Sequence, residues 1–170
     1  MNKFLLVTLS AMLFLSAFFA GAVSSATAKE SKILEFDTMV GVTADLTGDQ
    51  SQAPLRGING GGLPWTLTSA HGELKASGKL EIEVQGLVLA AGVNTGLNPS
   101  TVFRGLVSCL RSDGSVQNIL TDPFPATTGP ASSGGGNAKI EATVALPQPC
   151  IAPIIFVTNN GGSWFAATGN

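Results

Sequence analysis

The stretch Lys79-Leu80-Glu81-Ile82-Glu83-Val84-Gln85 decides the fold, because apolar and polar side chains alternate in it without a break. Successive side chains of a β-strand point to opposite faces, so one face of this segment is apolar and the other is polar. The pattern predicts a strand with one face in a hydrophobic core and the other in water.

The preceding segment, Thr66 to Lys75, is predicted to be the antiparallel partner of this strand. The loop between them, Ala76-Ser77-Gly78, has three residues and ends in glycine. A loop of this length with glycine in the left-handed conformation sets Leu74 opposite Leu80. We therefore expect a β-hairpin over residues 66–85.

The same register places His71 opposite Glu83, on the polar face of the hairpin. Farther from the turn, it would direct Trp65 and Leu67 toward water. A β-bulge shifts the alternation by one residue, and glycine inside a strand often marks one. We therefore expect a bulge at Gly72 that returns both side chains to the core.

Alternating or short apolar segments recur along the chain, separated by Gly, Pro, Asn and Asp, and no segment after residue 30 has a helical period. Further strands are predicted within residues 33–44, 101–111, 115–121, 138–146, 153–158 and 163–168. About eight short strands predict an all-β domain. We expect an antiparallel β-sandwich, similar in general appearance to immunoglobulin-like domains, with a small β-barrel as the second expectation.

Residues 1–28 have the three parts of a secretory signal peptide. A positively charged start is followed by an apolar run over residues 4–23, and Ala26 and Ala28 form a small-x-small exit. We expect cleavage after Ala28, which leaves one exported domain over residues 29–170. An uncleaved anchor helix is the alternative, because about twenty apolar residues suffice to span a bilayer.

The expected mature chain carries eight Lys and Arg residues against eleven Asp and Glu residues, a formal net charge of −3. It has no cluster of basic residues, so we expect no nucleic-acid partner and no membrane association after cleavage. Its glycine runs, residues 60–62 and 134–136, lack the Lys-Ser/Thr of a phosphate-binding loop. We expect no cofactor and no metal ion.

The two cysteines of the chain, Cys109 and Cys150, are predicted to form a disulfide. An even pair of cysteines in an exported protein is typically oxidised. Two buried thiols are the alternative, since cysteine is a common core residue.

Glu81 and Glu83 are the best candidates for catalysis, because they project from one face of one strand. Their separation along the strand, about 6.5–7 Å, approaches that of the carboxylate pair in inverting glycosidases. His71, the one histidine of the chain, lies across the hairpin. The interpretation we favour is a solvated strand face, where charged side chains are expected anyway.

Four residues form a predicted ligand surface: Arg56, Trp65, His71 and Arg104. Trp65 follows a Gly-rich loop and could stack on a ligand, although a large aromatic residue in a small sandwich is usually in the core. Arg104 lies between apolar neighbours, which indicates an anion-binding or paired group if buried, and a surface position otherwise.

The chain therefore predicts an exported, non-catalytic binding or structural module with an unknown extracellular ligand or protein as its partner. Loops on a rigid sheet scaffold usually carry binding, which points to Gly48–Pro64, Ala91–Ser100 and Asp122–Asn137. The last of these is expected to lack regular pairing. A small secreted hydrolase using Glu81 and Glu83 is one alternative. The other is a self-associating surface or matrix protein that pairs through an apolar edge strand at Pro153–Thr158.

Overall fold

The structure of the chain, a computed structural model, describes residues 30–48 and 54–169. The expected signal peptide lies outside the described residues. Fourteen strands follow one another in chain order: β1 (Lys32–Phe36), β2 (Val40–Gly41), β3 (Trp65–Thr66), β4 (Ser69–Lys75), β5 (Lys79–Gln85), β6 (Val88–Leu89), β7 (Leu97–Asn98), β8 (Val102–Leu110), β9 (Val116–Leu120), β10 (Phe124–Pro125), β11 (Gly129–Pro130), β12 (Ala138–Thr143), β13 (Ile151–Thr158) and β14 (Trp164–Ala167).

The strands form two large antiparallel sheets that face each other. One sheet has the order β1-β4-β5-β12, and the other has the order β10-β8-β13-β14-β2, with β9 also paired to β8. Two small ribbons, β3-β6 and β7-β11, accompany them. Within the described residues neither large sheet closes on itself, so the sandwich prediction is confirmed and the barrel is not formed.

Eight of the strands have four or more residues, in agreement with the expected number, and the other six have two residues each. The described helical structure consists of two short 3₁₀ turns, Ala44–Leu46 and Ala131–Ser133. The sequence therefore identified the long strands and missed the short ribbons.

The β4–β5 hairpin has the predicted register, with Leu74 opposite Leu80 and His71 opposite Glu83. The predicted bulge at Gly72 is wrong, because pairing between β4 and β5 continues through Gly72 without a shift. Trp65 nevertheless reaches the core, because the β4–β5 ladder begins only at Ser69 and the preceding Trp65–Thr66 pairs separately with β6.

The predicted apolar edge at Pro153–Thr158 is also wrong. Strand β13 is an inner strand, paired with β8 on one side and with β14 on the other. An apolar run is typical of a strand buried on both faces, and the run alone does not distinguish such a strand from an edge. Strand β8 is likewise internal, since it pairs with β13 on one side and with β9 and β10 on the other.

The core lies between the two sheets and is filled by the inward side chains of the long strands. The inward side chains with the least exposure include Leu74, Leu80, Ile82, Val84, Phe103, Val107, Ile140, Ile155 and Val157. Burial of an aliphatic or aromatic side chain contributes about 1.5–3 kcal/mol, so this layer is the main source of stability.

The predicted disulfide is confirmed. Cys109 on β8 and Cys150, which immediately precedes β13, are bonded, with their Cα atoms 5.0 Å apart and a sequence separation of 41. Cys109 is fully buried. The bond fixes the start of one inner strand to the end of its neighbour, at the end of the sandwich that holds the β8–β9 hairpin.

Candidate functional site

The outward side chains of β1, β4, β5 and β12, here called the charged face, form rows across the sheet. Glu35 lies opposite Glu73, Glu73 opposite Glu81, and Glu81 opposite Glu141, so one row consists of four glutamates. Like charges directly across a sheet repel one another, and such a row therefore needs cations beside it.

A row of lysines lies next to the glutamates. Lys32 lies opposite Lys75, and Lys79 lies opposite Thr143. The Nζ atoms of Lys32 and Lys75 lie 2.6 and 3.1 Å from the carboxylate of Glu73, and Lys79 pairs in the same way with Glu81. The lysine row therefore neutralises the first three glutamates, whereas Glu141 pairs with Lys139 at 2.7 Å.

This pairing changes the acidity of the carboxylates. The hydrogen bonds from Lys32 and Lys75 lower the pKa of Glu73, and the hydrogen bond from Lys79 lowers the pKa of Glu81. Hydrogen bonds to glutamate raise the pKa values of three lysines: Lys32 bonds to Glu35 and Glu73, Lys79 to Glu81, and Lys139 to Glu141. Glu73 and Glu81 are therefore held as carboxylates at neutral pH.

The candidate catalytic residues line one shallow groove of about 200 Å³ on the charged face. Glu81 and Glu83 both border it, and the Nε2 atom of His71 lies 3.6 Å from a carboxylate oxygen of Glu83. The side chains of His71 and Glu83 are 58% and 43% exposed, so solvent screens their interaction.

A glycosidase needs one carboxyl group whose pKa is raised so that it can donate a proton. Glu81 shows the opposite shift, since its pKa is lowered by Lys79. The groove thus brings the predicted residues together, and the pKa shift of Glu81 is opposite to the one that the acid of a glycosidase needs. A solvated sheet face with ion pairs explains these residues better.

Arg56 and Arg104 hold the backbone together on the outer side of the six-stranded sheet. The guanidinium of Arg104 donates to the carbonyls of Thr121 at 2.6 Å and Asn160 at 3.2 Å. Arg56 donates from Nη2 to the carbonyl of Ala152, and both of these residues have positive φ. Each arginine side chain therefore connects separate backbone segments through hydrogen bonds to their carbonyls.

Trp65 is 6% exposed and lies in the core. Its ring stacks on Phe165 with a centroid distance of 3.8 Å and meets Phe103 edge-on at 6.4 Å. The four residues of the predicted ligand surface are thus divided among the core, the charged face and the outer side of the other sheet. Their contact with a ligand stays a prediction.

The predicted binding loops meet at one end of the sandwich. Strand β7 in Ala91–Ser100 pairs with β11 in Asp122–Asn137, and the amide of Ala131 donates to the carbonyl of Gly96. Leu63 and Pro64 join them, since the carbonyl of Pro64 accepts from the amide of Ala90. We call these parts, Leu63–Pro64, Ala91–Ser100 and Asp122–Asn137, the end surface.

The rest of the Gly48–Pro64 loop that is described runs elsewhere. Gly60 bridges to Trp164, and Ile58 is buried against the outer side of the six-stranded sheet. This part of the loop covers Phe156 and Trp164, which would otherwise face water. It therefore has a packing role.

Asn98 organises the end surface and was not among the predicted site residues. Its side chain is 1% exposed, donates to the carbonyls of Ser100 and Thr127, and accepts from the amide of Ser100. Asparagine before proline favours a turn in which the side chain bonds the following backbone. The Asn98-Pro99-Ser100 sequence carried that signal.

Beyond Asp122 at its border, the end surface has no charged residue, because residues 57–70, 86–103 and 123–138 contain no Asp, Glu, Lys or Arg. Val93 is completely exposed at the tip of a turn, and Leu63 beside it is 42% exposed. The surface thus combines apolar tips with hydroxyl and amide groups, and it contrasts with the charged face.

The described residues define an all-β sandwich with an ion-paired sheet face and an uncharged loop end. Comparison of the chain with protein-family models, with curated proteins and with solved structures gave no match. Among the described residues, no three His, Cys, Asp or Glu side chains are arranged to hold a metal ion. No helix in this part of the chain has the length and hydropathy needed to cross a membrane.

Proposed function

We propose that this chain is an exported, non-catalytic β-sandwich that acts as a binding or structural module outside the cytoplasm. The end surface is its binding site for an extracellular ligand or protein. One observation carries the proposal: the loops of the end surface are bonded to one another and so form a ready-made surface.

Export is supported by two features. The first 28 residues have the sequence pattern of a cleavable signal peptide. The Cys109–Cys150 disulfide fits an oxidising compartment, where such bonds persist.

Binding at the end surface is supported by its order and its chemistry. Backbone bonds between loops and the buried amide of Asn98 reduce the entropy that a partner must remove on binding. Apolar tips with a polar, uncharged rim are typical of surfaces that bind uncharged groups.

The proposal is tested with the mature protein, residues 29–170, on a glycan array and a peptide array. We expect binding to a restricted set of array members. The variants Val93→Asp and Leu63→Asp should weaken that binding at least about tenfold, because a charge then replaces an exposed apolar contact.

Val116→Asp is the matched control, since Val116 is 43% exposed and lies at the opposite end of the sandwich. This variant should bind as the wild type does. Wild-type protein that binds no member of either array would contradict the proposal. A second outcome would also contradict the proposal. If the wild type releases reducing sugar from glycans and the Glu81→Gln variant does not, the chain is a hydrolase.

A further inference from the structure

Strand β12 is the edge of the four-stranded sheet, and its outward backbone groups can be identified. The carbonyl of Asn137 accepts from Thr127, away from β5, whereas the amide of Val144 donates to Gly78, which immediately precedes β5. Backbone groups of successive residues in a strand point to opposite edges. The N–H and C=O groups of Glu141 and Thr143 therefore point away from β5, toward the side of β12 that has no neighbouring strand.

Most of this edge has no partner within the described part of the chain. Ala126 bridges to it at Ala138, and the pairing goes no further. Beyond that point β12 and β9 diverge, and a cleft of about 340 Å³ opens between the two sheets. Its apolar lining is half-buried: Ile119, Leu120, Phe124 and Ala142.

An unpaired edge beside an incompletely covered core is a site for strand addition. We propose that two copies of this chain join there, by antiparallel pairing of their β12 strands about a twofold axis at Ala142. In this register Glu141 of each copy pairs with the partner's Thr143. The paired segment, here called the seam, covers residues 140–144 of each copy. It stops before Ala138, because Ala126 of the same copy already pairs there.

The charge pattern points to a second copy as the occupant, and the bridge of Ala126 to Ala138 limits the register. Within one copy the lysine row ends at Thr143 and the glutamate row ends at Glu141. When Thr143 pairs with the partner's Glu141, the lysine row of each copy is followed across the interface by the glutamate row of the other copy. In the resulting eight-stranded sheet, each of the two rows therefore has lysines in one half and glutamates in the other.

The dimer is bivalent. The end surface lies at the Ala138 end of β12, and antiparallel strands run in opposite directions, so the two end surfaces point away from each other. A twofold dimer of this kind bridges two ligands and gains avidity on a surface that carries many copies of the ligand.

The register is tested by an oxidative cross-link. In the proposed dimer Ala142 faces its own counterpart in a non-hydrogen-bonded pair, where Cα atoms lie about 4.5 Å apart, within the range of a disulfide. We expect Ala142→Cys protein to form a covalent dimer under mild oxidation. Both native cysteines are already bonded, so the added thiol is the one that reacts.

Ala145→Cys is the matched control. Ala145 is exposed near the same edge, but in this register it lies opposite the partner's Lys139, about 20 Å along the seam from its counterpart. It should remain uncross-linked. Equal cross-linking of the two variants, or none of Ala142→Cys, would overturn the proposed register.

The backbone bonds are tested by sedimentation of the unmodified protein and of Thr143→Pro and Thr143→Val. Wild type should dimerise with a dissociation constant on the order of 100 μM, as expected of a small interface. Proline removes an outward N–H in each copy and should weaken dimerisation at least about tenfold, whereas valine keeps it and should not. A circular-dichroism spectrum establishes that the proline variant is folded.

Two outcomes overturn the proposal. One is a wild type that stays monomeric up to about 1 mM. The other is a Thr143→Pro variant that is folded and still dimerises as the wild type does, because such a dimer uses another surface. The Ala142→Cys cross-link decides the question independently if the proline variant does not fold.

Discussion

At the scale of single residues, polar side chains in this protein have two kinds of role. Glu73 and Glu81 belong to ion pairs on an open sheet face, where each pair contributes little. Asn98 is buried, and its side chain satisfies three backbone groups of the end surface. Burial, rather than the number of polar contacts, therefore decides which residue matters for stability.

We predict that Asn98→Ala lowers the free energy of unfolding by about 2–3 kcal/mol, because buried backbone groups lose their partners. Urea unfolding of both proteins measures the difference. Asn94→Ala is the control, since Asn94 is exposed in the same part of the end surface and should change stability little. Equal effects of the two variants would refute the role assigned to Asn98.

The ion pairs predict how stability depends on pH. The pKa values of Glu73 and Glu81 are lower in the folded protein than their ordinary value of 4.5. Their contribution is therefore present above about pH 4.5 and is lost as the pH falls through the folded-state values. We expect the melting temperature to fall between pH 6 and pH 3, and to fall less in Glu73→Gln. An identical slope in wild type and variant would contradict this account.

At the scale of elements, alternation in the sequence was sufficient for the β4–β5 hairpin and its register. It was insufficient where two arrangements satisfy the same pattern. A bulge at Gly72 and a late start of β4 both bring Trp65 into the core, and only the pairing of β3 with β6 distinguishes them. Likewise, the apolar run at Pro153–Thr158 fits an inner strand as well as an edge.

The loop Asp122–Asn137 shows the same limit. Its Gly and Pro content predicted a segment without regular pairing, yet its backbone bonds to β7 and to Asn98. Those partners lie about thirty residues away in sequence, at a distance where local composition carries no information. This is why the backbone bonding within the end surface was not predicted.

The disulfide gives a prediction at this scale, because it joins β8 to the start of β13. Reduction should lower the free energy of unfolding by about 4 kcal/mol, the chain-entropy value for a loop of this length. Chemical denaturation with and without a reductant measures the loss. The double variant Cys109→Ala and Cys150→Ala should be insensitive to the reductant, and a wild type that is equally insensitive would disagree with the structure.

At the scale of the whole molecule, charge is concentrated on the outer face of one sheet, and the loop end has one charged residue, Asp122 at its border. The segment from residue 142 to residue 170 also has no Asp, Glu, Lys or Arg side chain. Charges were visible in the sequence, but their arrangement in rows depends on the register of four strands. The candidate sites therefore emerged from the topology, whereas the fold class followed from the pattern of side chains.

The measurement that most directly tests the central claim, a ready-made binding surface at the loop end, is amide hydrogen exchange on the mature protein. The amides of Thr127, Ala131 and Gly136 donate to backbone carbonyls within the end surface. We predict exchange at least about a hundredfold slower than in an unstructured peptide. Exchange of these amides at the unstructured rate would show that the loops do not form a surface before they meet a partner.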